Sequence, residues 1–331
     1  MPGDLLADPR ITLLGPQRQP RLGTVVQQLG LTGSRFATIT AGWRDRESDD
    51  GLLHEQLGGN AVNLHLWRRM QQVWEADPEL EQADRRRRQA LTEMQTLYLI
   101  GLEQAAVAIN RILEHTPLDP GIVALALQDV LQVMRDMDER HLQRVGELHH
   151  DFYLRQNPEH RDAVVEARFL VGREIAGCDA IVIPGGHVGV LLGALHLFNL
   201  GPALSSPSED EDGTPDLFRP VIAWGAGAMA LTERVLLFYD NAVARPGVSE
   251  MLMDGLALTR DVVALPSPKD RLDIKNLERM RVLAARTAPA HALLLDEGVR
   301  VTLTADGRLP AGSRVVGADG QATDLVLEGE A

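Results

Sequence analysis

Apolar positions near the start of the chain fall in short, β-rich runs. Ile11–Leu14 ends in Gly15-Pro16, and Arg35–Thr40 ends in Ala41-Gly42, with the helical stretch Leu22–Leu29 between them. Strand, helix and strand with short glycine-containing exits predict a parallel α/β sheet. From about Asn60 to Glu174 the period changes. Leu91, Met94, Tyr98, Gly101, Ala105, Ile109 and Ile112 advance by three or four, as do Ile122, Leu125, Val130, Val133, Met137, Leu142, Val145, Leu148 and Phe152. This spacing predicts two long amphipathic helices separated by a turn at Pro117–Pro120, flanked by shorter helices near Asn60–Trp74 and His160–Ile175. Helices with one apolar stripe must bury it. The pattern therefore predicts a helical insertion, 61–164, in a discontinuous α/β domain, 1–60 and 165–331. The same stripes suit a homodimer interface through the insertion.

The sheet pattern then resumes. Ala180–Ile183 reads as a buried strand, followed by Pro184-Gly185-Gly186-His187 and the helical Val188–Phe198. Ser205–Thr214 is a polar, acidic loop. Pro220–Ala223 is the next buried strand and leads into Trp224-Gly225-Ala226-Gly227-Ala228, with a helix expected from Met229. Ala292–Leu295, Arg300–Thr304, Ser313–Val316 and Thr323–Leu327 read as closing strands, with turns at Asp306-Gly307 and Asp319-Gly320.

Composition narrows the function classes. The 331-residue chain carries a formal net charge of −14, which argues against nucleic acid or an anionic membrane as partner. The run Arg85–Arg88 then reads as a solvated helix face. One cysteine, Cys178, excludes an intrachain disulfide and a cysteine-built metal site, and its apolar setting predicts a buried, inert thiol. Neither a secretory signal nor an apolar run of about 18 residues is present, so a cytoplasmic protein is expected. His149-His150 point about 100° apart on a helix and do not make a metal pair. Phosphate-loop motifs are absent as well, so neither metal nor cofactor is expected.

A buried strand, a tight small-residue turn and a helix form the context of a nucleophile elbow, whose backbone N–H groups can hold an anion. Val221–Leu231 (VIAWGAGAMAL) resembles the nucleophile motif of the dipeptidase E and cyanophycinase family of Ser peptidases. Trp224, Ala226, Gly227 and Ala228 match its pattern, and Gly225 stands at the serine. Asp179–Gly186 (DAIVIPGG) resembles the family's strand ending in the Gly pair of its oxyanion hole. Asp254–Leu258 (DGLAL) resembles its Gly-Leu-Gly-Leu segment, and Ala292–Val301 (ALLLDEGVRV) its "GIDE" strand and closing hairpin. The resemblance implies a three-layer α/β sandwich, with a parallel sheet of the class I glutamine amidotransferase type and a C-terminal β-hairpin region. It covers about 10–60 and 165–330.

The departures bear on chemistry. Gly225 has no side chain with which to attack a carbonyl. Val262–Arg271 (VVALPSPKDR), where the family places its His, contains none. Asp240 falls fifteen residues after Gly225, near where some members keep the acid of the triad. An acid without base and nucleophile cannot run acyl transfer.

The expected reading is a non-peptidase homologue that binds a small acidic or peptide-like ligand in the former active-site crevice. Trp43, Arg44, Arg46 and Glu47 follow the second strand and should face that crevice, because ligands in parallel sheets lie beyond the carboxyl ends of strands. The two guanidinium groups can clamp a carboxylate, or the loop is a self-paired charged surface. Gly185, Gly186, His187, Gly225, Ala226 and Gly227 complete the expected lining. His187 is a candidate base or ligand donor, against the plainer role of a helix cap. Two alternatives stay open: a hydrolase with relocated catalytic residues, His187 or Glu47, and a scaffold assembling through the helical insertion.

Overall fold

The computed structural model describes residues 8–18, 21–116, 119–207, 215–238 and 248–326. The chain opens with β1 (Ile11–Leu14), α1 (Leu22–Gln28), β2 (Phe36–Thr38), a 3-10 segment (Ala41–Arg46), α2 (Gly51–Gln56) and β3 (Ala61–Asn63). Helices α3 (Leu66–Ala76), α4 (Pro78–Leu113), α5 (Pro120–Gln156) and α6 (Asp162–Ala176) follow. Next come β4 (Ala180–Ile183), α7 (Val188–Leu197), α8 (Gly201–Leu204), β5 (Ser205–Ser206), β6 (Asp216–Leu217), β7 (Val221–Trp224) and α9 (Ala226–Leu231). Then β8 (Arg234–Leu237), β9 (Glu250–Asp254), β10 (Val262–Pro266), α10 (Pro268–Arg271) and α11 (Leu277–Thr287) lead to the closing strands. These are β11 (His291–Leu295), β12 (Arg300–Thr302), β13 (Arg314–Val316) and β14 (Ala322–Asp324).

The main sheet runs β12-β1-β7-β4-β2-β3, parallel except for the antiparallel edge strand β12. Alternation along its strands divides the side chains between two faces. Leu13, Ala37, Ile181, Ile183, Val221 and Ala223 pack with α3, α6, α7 and α9. Leu14, Phe36, Ala180, Val182 and Ile222 pack with α1 and α2 on the other side. Helices thus cover both faces, which is why these strands read as continuous apolar runs.

Short strands are harder to read. β3 lies inside the stretch expected to be helical from Asn60, because its three residues pair with β2 before α3 begins. Helix α9 starts at Ala226, three residues ahead of the expected Met229. The expected closing hairpin of Ala292–Val301 is split between sheets: β11 joins β10-β11-β13-β14, whereas β12 edges the main sheet. A C-terminal antiparallel pair is formed instead by β13 and β14.

Helices α4 and α5 are antiparallel neighbours. Asp77 caps α4 by accepting from the Leu80 N–H at 3.0 Å, with Pro78 in the first turn, and Asn157 ends α5 in the left-handed region. At 36 residues α4 spans about 54 Å. The pair leans on the second sheet, where Tyr98, Leu102, Ile109 and Met134 share a core with Val263, Leu265, Met280 and Leu294. A buried polar knot fastens it there. Arg286 of α11 donates to both Asp138 carboxylate oxygens, at 2.7 and 2.8 Å, and to the Ser249 carbonyl at 2.6 Å. Tyr98 donates to the same carboxylate, and the His141 ring stacks on Tyr98 at 4.1 Å. The outer face leaves Leu97, Ile100, Ile122 and Leu125 exposed. Among the described residues, no helix is long and apolar enough to cross a membrane.

Candidate functional site

Three loops meet at the carboxyl ends of β2, β4 and β7, and their backbones touch. Gly225, after β7, has φ +56° and ψ −127°, and a Cβ there would stand 2.9 Å from the Cα of Gly185. Gly186 has φ +143°, and a Cβ there would come within 2.5 Å of the carbonyl carbon of Gly42. Only glycine meets both demands. The close approach of α9 to β4 likewise depends on Gly227, where a Cβ would lie 2.0 Å from the Ile183 oxygen. Ala226 is buried in the first turn of α9. The elbow is therefore more than a serine motif lacking its hydroxyl. The Gly185 backbone stands beside the place where a side chain at Gly225 would project.

The loop after β2 carries a second turn of the same shape. Arg44 has φ 57° and ψ −127°, values that match Gly225 but cost a residue with a side chain roughly 1–3 kcal/mol. Its flanks hold it in place. The Trp43 indole N–H donates to the Gly185 carbonyl at 2.8 Å, tying the loop to the β4 turn. Glu47 is buried, and its two carboxylate oxygens accept from the N–H groups of Trp67 and Arg68, both at 2.9 Å, at the start of α3. Burial still raises the Glu47 pKa despite those donors. With both oxygens occupied, Glu47 braces α3 and does not face the crevice. Arg46 is exposed and pairs with Asp49 at 3.1 Å, the self-paired arrangement that the charged loop allowed. Of the expected clamp, Arg44 alone lines a cavity.

His187 caps α7, its Nδ1 accepting from the Val190 N–H at 3.2 Å, while its own backbone N–H donates to the Gly42 carbonyl at 2.8 Å. An imidazole whose Nδ1 accepts keeps its proton on Nε2 when neutral. Desolvation, with Arg44 nearby, lowers its pKa and favours that neutral form. His187 is thus arranged to donate to a ligand rather than to take a proton from one. It lines two cavities. One, of about 580 Å³, lies over Gly225 and the Gly185–Gly186 turn, with Arg18, Ser267 and Arg271 around it. The other, of about 640 Å³, is walled by Arg44, Trp67, Trp74, Arg87 and His149.

The second cavity includes groups that the sequence pattern hid. Arg87 belongs to the run expected to be a solvated face, yet its side chain is only 10% exposed and pairs with the buried Asp84, which also accepts from Arg88 at 2.8 Å. Its guanidinium stacks 4.1 Å from the Phe152 ring centroid and lies 3.3 Å from His149 Nδ1. Packing sets the difference: α5 covers one side of α4, so Arg85 and Arg88 face out while Arg87 faces in. Burial, reinforced by Arg87 and His196, pushes the His149 pKa down to about 3. Only the register of α5 against α4 identifies these partners.

Asp240 lies outside the described residues. Val262–Arg271 contributes Ser267 and Arg271 to the cavity over Gly225, in place of a histidine. Ser267 sits in the left-handed region with φ 56°. Cys178 is buried, and desolvation raises its pKa. Among the described residues, no group of three or more His, Cys, Asp or Glu side chains is placed to hold a metal ion.

The described residues define a mixed α/β protein built on a parallel-strand sheet, with its candidate site at the strands' carboxyl ends. No protein-family model and no curated protein matches the chain. Among solved structures, it is similar to a peptidase from an acI-B1 Actinobacterium, at 13% identity over 97% of this chain and 95% of that one. The TM-score of 0.37 is too low for this likeness to bear on activity.

Proposed function

We propose that this chain is a non-hydrolytic relative of the dipeptidase E and cyanophycinase peptidases that binds a small acidic or peptide-like ligand in the cavity over Gly225. One observation carries the reading. The charged side chains lining that cavity are Arg18, which pairs with Asp270 at 3.0 Å, and Arg271, with no carboxylate among the described lining residues, in a chain of net charge −14. Such a lining favours an anion against the field of the whole molecule. The elbow supports the non-hydrolytic part, since Gly225 offers no nucleophile and Gly185 occupies the space a side chain would need. The His187 cap leaves a donor at the cavity wall and no free base there.

Calorimetric titration with dicarboxylates and with dipeptides bearing a free carboxylate tests this. Micromolar to millimolar binding without cleavage is expected. Arg271→Ala should weaken it by at least about tenfold, the loss of one hydrogen-bonded charge. Turnover of any of these compounds, or binding indifferent to Arg271, would overturn the reading.

A further inference from the structure

Arg44 and Gly225 share one backbone conformation, and each follows a parallel strand of the main sheet. The Gly185–Gly186 turn lies between them, touching Gly42 on one side and Gly225 on the other. At Gly225 that conformation is met by glycine. At Arg44 the chain keeps a large side chain where glycine would relieve the strain. Local packing does not explain the arginine: the residue is exposed, and among the described residues no hydrogen bond or ion pair is made by its guanidinium. Strain held by pinned neighbours, with an unpaired head at a cavity wall, marks a position kept for its side chain's direction.

That side chain borders the cavity of about 640 Å³, whose apolar surface comes from Trp67, Met70 and Trp74 on α3 and Leu91 on α4. The charges on this wall are largely settled. Asp84 is held by Arg87 and Arg88, and Glu81 by Arg85 at 2.7 Å. The lining arginines Arg44, Arg87 and Arg88 are matched in number by Asp45, Glu81 and Asp84, and of these arginines Arg44 alone has no ion-pair partner among the described residues. An apolar pocket with one free guanidinium suits an amphipathic anion.

We infer that this cavity is a second binding site, in which Arg44 anchors the carboxylate of a ligand whose apolar or aromatic body lies against Trp67, Met70 and Trp74. It does not rest on the reading of the Gly225 cavity, which Arg44 does not line. The test uses the full chain and two probes, N-acetyl-phenylalanine and its uncharged primary amide, in calorimetric titrations. The wild type is expected to bind the acid at least about tenfold more tightly than the amide, the discrimination of a charged hydrogen bond. The decisive comparison is made in an Arg271→Ala background, which removes the charge over Gly225: there the preference should remain, and Arg44→Gly or Arg44→Ala should each abolish it. Thermal melts separate loss of the ligand contact from loss of fold. Arg44→Gly should melt about 2 °C or more above Arg44→Ala, because glycine releases the strain. Equal or absent binding of acid and amide by the wild type, or a preference that survives Arg44→Gly in the Arg271→Ala background, would overturn the site. So would loss of the preference in Arg271→Ala, which would place the probe over Gly225 instead.

Discussion

At Gly225 a side chain would face two penalties, a φ of +56° and a 2.9 Å approach to the Gly185 Cα. Gly225→Ser is therefore expected to lower stability by about 1–3 kcal/mol in urea titrations and to gain no ester or amide hydrolysis. Hydrolysis by this variant would show that the rest of a catalytic apparatus is in place. A second prediction concerns His149. Its folded-state pKa of about 3 lies below the ordinary value near 6.5 because of burial, with Arg87 and His196 adding to the shift. Between those values the unfolded chain binds the extra proton, so the stability this neutral imidazole confers is complete above about pH 6.5 and lost as pH falls towards 3. In His149→Gln the dependence of urea stability on pH should be shallower by up to about 1.4 kcal/mol per unit across that window. An unchanged slope would contradict the buried, neutral assignment. Residues such as Gly225 were legible because a motif frames them. The strain at Arg44 was not, since a positive φ at a residue with a side chain leaves no mark on composition or period.

The paired helices were visible as elements because 3.6-residue periodicity accumulates over 36 and 37 residues. Their placement depends on one knot of side chains from distant segments, Tyr98, Asp138 and Arg286, which no local pattern joins. Removing one member leaves a buried charge without its partner. Asp138→Ala should accordingly cost roughly 3–5 kcal/mol, read as a lower urea midpoint. A loss below 1 kcal/mol would mean that the helices are held by apolar contacts alone. Brief elements escaped the pattern for the opposite reason. β3 has three half-buried residues, too few to show alternation, and it exists because β2 offers an edge. The same holds at Glu47, whose place in sequence suggested the crevice while its carboxylate went to the open N–H groups of α3.

Across the whole molecule, the main sheet is sandwiched by helices while α4 and α5 lean on a second sheet. Both cavities lie at the carboxyl ends of the main sheet, with His187 shared between them. The small-residue frame around Gly225 was readable from sequence, whereas the basic lining at Arg18 and Arg271 was not. Those two residues are far apart in the chain, and folding brings them to one rim. On the proposed reading, this rim holds an acidic ligand over an elbow that performs no chemistry. A crystal structure of the wild type soaked with a mixture of dicarboxylates and dipeptides tests it most directly. An intact ligand over Gly225, with a carboxylate on Arg18 or Arg271, is the predicted result. A cleaved product, or an empty cavity at saturating concentration, would contradict it.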